Sequence, residues 1–314
     1  MAKSSYRALL AKFALVGVSL GYWNMPDLDR QKFIHVPFAS SAGRRLGWTR
    51  LYATGYRGSS YGAYGSTSMR WPTVPTVSQI HCLAVDAQRR LNLPDSRKIV
   101  IYTGSFNVSV LELSTREVEG LKSTVDALIH AGADGHCLNN YFSLRVPNLG
   151  STRFLTELAL LKGVPLHYVS SNRVTLLSGD VALPPGSVSA FPPPKSGSDG
   201  FTASKWASER YLEKTAEATG LDVCIHRPCA LTGDRAPSED ALNAILQFSV
   251  LMKVVPQFPN VRGFFDFEKV GVVADKIGKT VLQAGQVTGG HATSLASFTH
   301  HSSGVKMPVD KIQE

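Results

Sequence analysis

From residue 77 onward the chain alternates short apolar runs with longer amphipathic stretches. The apolar runs that predict buried strands lie at 79–85, 98–102, 127–130, 165–171 and 222–227. Helix-like stretches lie at 114–122, 150–161, 202–219 and 240–254, and a further strand-like piece lies at 263–267. A succession of strand, helix and strand is the unit of a parallel sheet, so the pattern predicts an α/β fold.

Several short signals predict where these elements begin and end. Ser114 and Glu117 have the spacing of a capping box, and Gly220 stands where the helix over 202–219 is expected to end. The stretch 178–199 is rich in Pro, Gly and Ser and predicts a loop that serves as a lid or a variable insertion.

The strand predicted at 165–171 ends in two hydroxyl side chains, Ser170 and Ser171. Ligands of parallel sheets bind at the carboxyl ends of the strands, so these hydroxyls are candidates for a site. The alternative is that they only cap the segment that follows.

Almost all of the net charge of +9 comes from the first quarter of the chain. Residues 1–76 hold 10 Lys and Arg against 2 Asp and Glu, and the remainder holds 23 against 22. No nucleic-acid-binding motif accompanies this excess, so no nucleic-acid partner is expected. The apolar segment 13–22 is too short to span a bilayer, and with the basic residues before it the segment is either a transit peptide or weak signal, or a plain extension.

Residues 1–76 also contain a candidate phosphate-binding loop. The short run 51–53 predicts a strand, and Gly55 and Gly58 follow it in the order of a dinucleotide fingerprint. The helix that should come next would contain glycines and a proline, which disfavour it, so an ordinary glycine-rich loop is the alternative. Helix-like spacing in this segment is brief and lies between residues 6 and 18.

The stretch 200–210 has the spacing of a redox catalytic motif. In the pattern Tyr-x-x-x-Lys the two side chains lie one helical turn apart, so the ammonium lowers the phenol's pKa and holds the cofactor ribose. Lys205 is present here, but Phe201 takes the tyrosine position. A phenyl ring has no proton to give to the oxyanion that hydride transfer creates.

The cysteines are widely spaced and form no Cys-x-x-Cys pair (Cys82, Cys137, Cys224, Cys229). We expect reduced and mostly buried thiols in a cytoplasmic protein, and we expect no metal site.

Six stretches together resemble a known family in its own order. They lie at 80–85, 129–134, 144–153, 167–171, 204–210 and 226–233, within a resemblance from about residue 77 to residue 311. The chain resembles the terminal thioester reductase domains of nonribosomal peptide synthetases and of fungal polyketide synthase and peptide synthetase hybrids. These are extended short-chain dehydrogenases, related to the male-sterility-type NAD-binding proteins.

The resemblance implies a Rossmann-like doubly wound parallel sheet with a small C-terminal substrate lobe. It implies NADP(H) as cofactor and a carrier-protein-bound acyl or aminoacyl thioester, supplied by a synthetase, as substrate. Ser171 matches the family's active-site hydroxyl that bonds the carbonyl oxygen, and Lys205 matches the catalytic lysine. We expect residues 1–76 to be a degenerate start of the nucleotide-binding fold, 77–235 the Rossmann-like domain and 236–314 the substrate lobe.

The chain departs from the family's pattern at several cofactor positions. Phe201 replaces the proton donor and Ala131 stands where the family usually has asparagine. Asp86 follows the second strand, where a carboxylate repels the 2'-phosphate of NADPH. The lobe is also expected to be truncated, because the family continues into closing helices beyond the equivalent of Glu314.

Three functional hypotheses follow. The first is a redox-impaired release domain that acts as a Dieckmann-type cyclase and yields a tetramic acid, with Ser171 polarising the thioester carbonyl and Lys205 acting as base or fixed charge. The second is a slow NADPH-dependent reductase that releases an aldehyde or alcohol. The third is a non-catalytic, truncated remnant.

Overall fold

The computed structural model describes eleven stretches of the chain. They are 8–12, 79–85, 97, 99–108, 110–135, 139–179, 183–197, 199–232, 241–255, 263–284 and 296–311. The strands are Ala8–Lys12 (β1), Gln79–Val85 (β2), Ile99–Thr103 (β3), Leu128–His130 (β4), Leu166–Val169 (β5), Val223–Pro228 (β6), Ala230–Thr232 (β7), Phe264–Lys269 (β8), Ser297–His301 (β9) and Lys306–Pro308 (β10).

The α-helices are Thr115–Thr124 (α1), Tyr141–Leu144 (α2), Ser151–Lys162 (α3), Gly200–Thr219 (α4), Ala241–Met252 (α5) and Val270–Ala284 (α6). A π-helical turn, Arg145–Gly150, joins α2 to α3, and 3-10 turns occur at Asn172–Ser178 and Val309–Lys311. No helix within these described stretches is long and apolar enough to cross a membrane.

Seven parallel strands form the large sheet, in the order β3-β2-β1-β4-β5-β6-β9. The chain runs outward from β1 in one direction and then from β4 in the other, which is the strand order of a doubly wound dinucleotide fold. The predicted fold class is confirmed. The strand order reverses between β1 and β4, and the carboxyl ends of these strands are where such folds bind ligands.

The first strand is not where the sequence analysis placed it. β1 pairs with β2 on one side and with β4 on the other, so residues 8–12 fill the central position that we had expected the run 51–53 to take. The helix-like spacing between residues 6 and 18 therefore did not indicate a helix, because residues 8–12 form a strand. A central parallel strand is covered on both faces and needs no alternation of polar residues, so its short apolar run resembles a helix turn. Residues 51–53 lie outside the described stretches.

The predicted ends of the helices are confirmed. The Ser114 Oγ accepts the Glu117 backbone N–H at 3.3 Å, and the Glu117 carboxylate accepts the Ser114 backbone N–H at 2.8 Å, which completes the capping box of α1. α4 ends at Gly220, which has φ 71° in the left-handed region. Helices over 150–161 and 240–254 are also confirmed as α3 and α5.

A second, three-stranded sheet follows the order β10-β8-β7. It contains β7 from the predicted domain 77–235, and the large sheet contains β9 from the predicted lobe 236–314. The boundary at residue 235 therefore does not separate the two sheets. The division into domains stays a prediction.

Candidate active site

The candidate site lies where β5 ends and α4 begins. All four residues of β5 are buried, and the chain leaves the sheet through Ser170 and Ser171. α4 starts at Gly200, where any Cβ would collide with the backbone of Asn139 and Asn140. Glycine at this position lets the amino end of α4 approach the segment that follows β4.

Lys205 is fully buried on the inner face of α4. Its Nζ donates a hydrogen bond to the Val169 carbonyl at 2.8 Å and lies 4.9 Å from the centre of the Tyr168 ring. Burial lowers the pKa of Lys205 to about 7, and the opposing effect of the Glu209 carboxylate raises it. Both the neutral and the protonated amine are therefore populated near neutral pH, which suits both a proton acceptor and a fixed charge.

Phe201 lies one turn before Lys205 and is also buried. The Lys205 Nζ is 5.8 Å from the centre of its ring, and the Arg173 guanidinium carbon is 5.6 Å from that centre. Arg173 also donates to the Asp199 carboxylate at 2.8 Å, and Asp199 caps α4 through the Thr202 backbone N–H. The Phe201 ring, at the position predicted for the missing tyrosine, thus lies near the Arg173 guanidinium and the Lys205 amine.

Ser171 has the capping role that the sequence analysis gave as its alternative. Its Oγ accepts the Arg173 backbone N–H at 3.3 Å and begins the turn Asn172–Ser178. A hydroxyl that accepts one hydrogen bond still has its own hydrogen to donate. Capping and polarisation of a carbonyl are therefore compatible at Ser171.

Three buried polar atoms on the segments that carry Ser171 and Phe201 have no hydrogen-bond partner in the part of the chain that is described. They are the Ser170 Oγ, the Asn172 Oδ1 and the Thr202 Oγ1. Buried polar groups in native proteins nearly always have a partner, so a water or ligand atom is expected to meet them. Ser170 could be predicted from its place at the end of a strand, whereas Asn172 and Thr202 could not, because single polar residues carry no motif.

Asn148 ties the segment after β4 to α4. Its side chain exchanges hydrogen bonds with the Asp134 backbone, at 2.6 and 2.9 Å, and donates to the Ser204 Oγ at 2.7 Å. No role was predicted for Asn148 from the sequence. It fixes the position of the helical turn that carries Phe201 and Lys205.

Glu209 anchors α4 to the sheet further along the helix. Its carboxylate accepts two hydrogen bonds from Arg227 of β6, at 3.0 and 2.7 Å, and both side chains are fully buried. A bidentate pair of this kind has little freedom to shift. It therefore sets how α4 lies across β6.

The described residues of the loop expected at 178–199 lie against the side of α4 that carries Trp206 and Glu213. Trp206 donates from Nε1 to the Val188 carbonyl at 3.0 Å, and Ser187 donates to the Glu213 carboxylate at 2.7 Å. Val188 is fully buried. Hydrogen bonds thus hold the described residues 183–197 against the helix that carries Lys205.

Among the residues expected to hold the cofactor, Lys205 and Ala131 are described, whereas Gly55, Gly58 and Asp86 lie outside the described stretches. Ala131 directly follows β4 and packs beside the main core. Its neighbour Gly132 is in direct contact with the Phe106 ring, which would collide with any Cβ at this position. The Phe106 ring thus takes up space beside the carboxyl end of β4.

Buried histidines form a hydrogen-bonded row across β5, β6 and β9. The His167 Nδ1 lies 3.1 Å from the His226 Nε2, and the His226 Nδ1 lies 2.9 Å from the His301 Nε2. Burial lowers the pKa of His167 and His301 to about 4, and it lowers that of His226 as well. Cys224 is close enough to His167 and His226 for the three ligand atoms to lie within 4.8 Å of one another. Spacing along the chain gave no sign of this cluster, and the absence of a metal site stays a prediction.

Comparisons with known proteins agree with the geometry. Residues 79–277 match the model of a family of NAD-binding domains described as "Male sterility protein". The hybrid PKS-NRPS synthetase lepA of Aspergillus flavus is 84% identical over 240 residues, and the cyclo-acetoacetyl-L-tryptophan synthase of Aspergillus oryzae is 47% identical over 244 residues. The matches cover 76% and 77% of this chain but 6% of each relative.

A solved structure shows the same fold. The terminal R domain from the myxalamid PKS-NRPS biosynthetic pathway has a TM-score of 0.66 at 21% identity, over 98% of this chain and 69% of that chain.

Proposed function

Because the chain belongs to the male sterility protein family of NAD-binding domains and resembles segments of fungal hybrid synthetases, we propose that it is a release domain that cyclises a carrier-bound thioester without hydride transfer. The observation that carries this proposal is Phe201. Its ring is buried 5.8 Å from the Lys205 Nζ, in the position where the family's reductases hold a proton donor. A site without that donor favours a reaction that needs no oxyanion protonation.

The proposed reaction is a Dieckmann-type condensation of a β-ketoacyl-aminoacyl thioester. A neutral Lys205 amine removes the acidic proton from the carbon between two carbonyls, and the resulting carbanion attacks the thioester carbonyl. A carbon–carbon bond forms, the carbon–sulfur bond breaks and the carrier thiolate leaves with the electron pair. Nothing is oxidised or reduced. Ser171 donates its hydroxyl hydrogen to the carbonyl oxygen as charge develops on it.

Two features support Lys205 in this role. Its pKa of about 7 leaves a substantial neutral fraction at neutral pH, and the Val169 carbonyl holds the amine in place. Protonated Lys205 then stabilises a second enolate charge in a site of low polarity. The name of the relative from Aspergillus oryzae, a cyclo-acetoacetyl-L-tryptophan synthase, denotes a ring-closed aminoacyl product and supports the same chemistry here.

Substrate access requires a movement, because Lys205 and Phe201 are both buried. The segment 183–197 is the element best placed to move. It carries no helix or strand and is fastened to α4 by side-chain hydrogen bonds, of which the bond from Trp206 to the Val188 carbonyl is one. Its opening would admit the acyl chain, and its closure would exclude water from the enolate.

A reductase remains the second candidate, because the family binds a nicotinamide cofactor. The substitution Phe201→Tyr separates the two reactions. With an intact cofactor site it should create aldehyde formation with NADPH, since general acids contribute about a hundred- to ten-thousand-fold. We expect no aldehyde from this variant, and abundant aldehyde would favour the reductase.

The proposal itself is tested by incubating the purified chain with a β-ketoacyl-aminoacyl thioester in the absence of NADPH. A ring-closed product supports it, whereas unchanged thioester from folded protein would favour the non-catalytic remnant. The presence of β1 is evidence against a remnant, because a remnant would lack this central strand of the sheet.

A further inference from the structure

We infer that Phe106 occupies the position where the adenosine half of a dinucleotide would bind, so that this chain holds its own aromatic ring in place of the cofactor's adenine. The inference concerns binding and does not depend on the cyclisation chemistry proposed above. It rests on the contact between Phe106 and Gly132 and on the order of the strands that precede these two residues.

The two residues follow strands that are not neighbours. Phe106 comes three residues after β3 ends at Thr103, and Gly132 comes two residues after β4 ends at His130. β2 and β1 lie between β3 and β4 in the sheet. A contact between Phe106 and Gly132 must therefore reach across the carboxyl ends of β2 and β1.

The distances show how the two loops meet. Three strand spacings of about 4.8 Å separate β3 from β4 by about 14 Å. The three residues 104–106 span at most about 10 Å when extended, and the two residues 131–132 span at most about 7 Å. Residues 104–106 and the Phe106 ring together therefore extend over the ends of the inner strands, and the ring meets Gly132 beside the point where the strand order reverses. Ligands of doubly wound sheets bind at that point.

The ring is built into this position. Phe106 is 3% exposed and belongs to the main apolar core, together with Leu111 and Leu113 of the same loop. Backbone hydrogen bonds from Leu111 to the Val108 carbonyl and from Leu113 to the Val110 carbonyl, at 3.0 and 3.1 Å, shape the loop around it. Gly132 completes the fit, because a side chain there would collide with the ring.

A dinucleotide can bind only after the ring has moved out of the core. Its apparent affinity is then reduced by the fraction of molecules in which the position is open. Removal of the ring should raise the fraction of molecules in which the position is open.

The binding test uses the full chain and calorimetric titration with NADPH and with ADP-ribose, which carries the adenosine half and lacks the nicotinamide. Phe106→Ala should bind both probes about tenfold or more tightly than the unchanged chain. Phe106→Leu serves if the alanine variant does not fold. Phe142→Ala is the matched control, because Phe142 is 78% exposed, and it should leave binding unchanged. Unchanged or weaker binding in folded Phe106 variants would overturn the inference.

The location of the ring has its own test, independent of any ligand. Gly132→Ala forces the ring to shift and should lower the urea midpoint of unfolding. Gly120→Ala is the control, because nothing lies within 4 Å of a Cβ at that helix position, and it should leave the midpoint unchanged or raise it. An equally stable Gly132→Ala would contradict the packing on which the inference rests. Cyclisation by the unchanged chain is assayed separately, so a failure of the proposed reaction leaves both results interpretable.

Discussion

At the scale of single residues, the chemistry depends on how burial acts on Lys205. Water is excluded from the amine, which disfavours its charged form, while Glu209 one turn along favours the charge. The balance gives a pKa of about 7. An amine on the surface would be protonated almost completely at neutral pH and could not serve as a base.

Replacing the amine with an apolar side chain of similar length should remove catalysis and spare the fold. We expect Lys205→Met to slow cyclisation about a hundred- to ten-thousand-fold, the usual range for a general base. Product formation measured by liquid chromatography gives the rate, and Lys214→Met on the exposed face of the same helix is the control. Equal rates in the two variants would show that Lys205 is not the base.

The pH dependence follows from the same group. The neutral amine is the active form, so kcat/KM should rise as the pH increases through about 7 and then level off. The profile should be measured between pH 5.5 and 9 (a range of about 1.5 to 2 units on each side of this pKa). A rate that falls over this interval would mean that protonated Lys205, acting as a fixed charge, is the catalytic form.

At the scale of elements, α4 is positioned by buried polar contacts with the sheet as well as by apolar packing. Removing one member of the Glu209 and Arg227 pair leaves the other charge buried and alone. We expect Arg227→Met to destabilise the protein by roughly 3–5 kcal/mol. The double variant Glu209→Met with Arg227→Met should be less destabilised than Arg227→Met, which urea denaturation of both proteins would measure. A double variant that is less stable to urea than Arg227→Met would contradict this prediction.

Most elements after residue 77 could be predicted from the sequence, because buried parallel strands are apolar runs and helix ends carry local signals. The capping residues Ser114 and Glu117 illustrate this. β1 could not, since a five-residue strand in the centre of a sheet has no periodicity that separates it from a helix turn.

The candidate site, too, could be predicted from the sequence only in part. The turn between Phe201 and Lys205 is a local spacing, and the rule for strand ends pointed to Ser171. The contact of Phe106 with Gly132 joins loops after distant strands, so it depends on strand order, which the sequence does not give directly.

At the scale of the whole molecule, the histidine row makes stability depend on acidity. His167 and His301 have pKa values near 4 when folded, below the value of about 6.5 for an exposed histidine. The unfolded chain therefore binds more protons between these two values, and the free energy of unfolding should fall as the pH falls from about 6.5 to 4.

Urea denaturation at several pH values checks this dependence. His301→Gln removes one buried imidazole from the row, so its stability should fall less steeply than that of the unchanged chain over the same range. Parallel curves for the two proteins would show that the row does not control the acid response.

The central claim for the whole molecule is that it releases its substrate without redox chemistry. The most direct measurement is the product mass spectrum after incubation with a β-ketoacyl-aminoacyl thioester, with and without NADPH. We predict the same ring-closed product in both reactions, lighter than the corresponding aldehyde by one molecule of H₂, and unchanged NADPH absorbance. An aldehyde or alcohol formed only when NADPH is present would contradict the account.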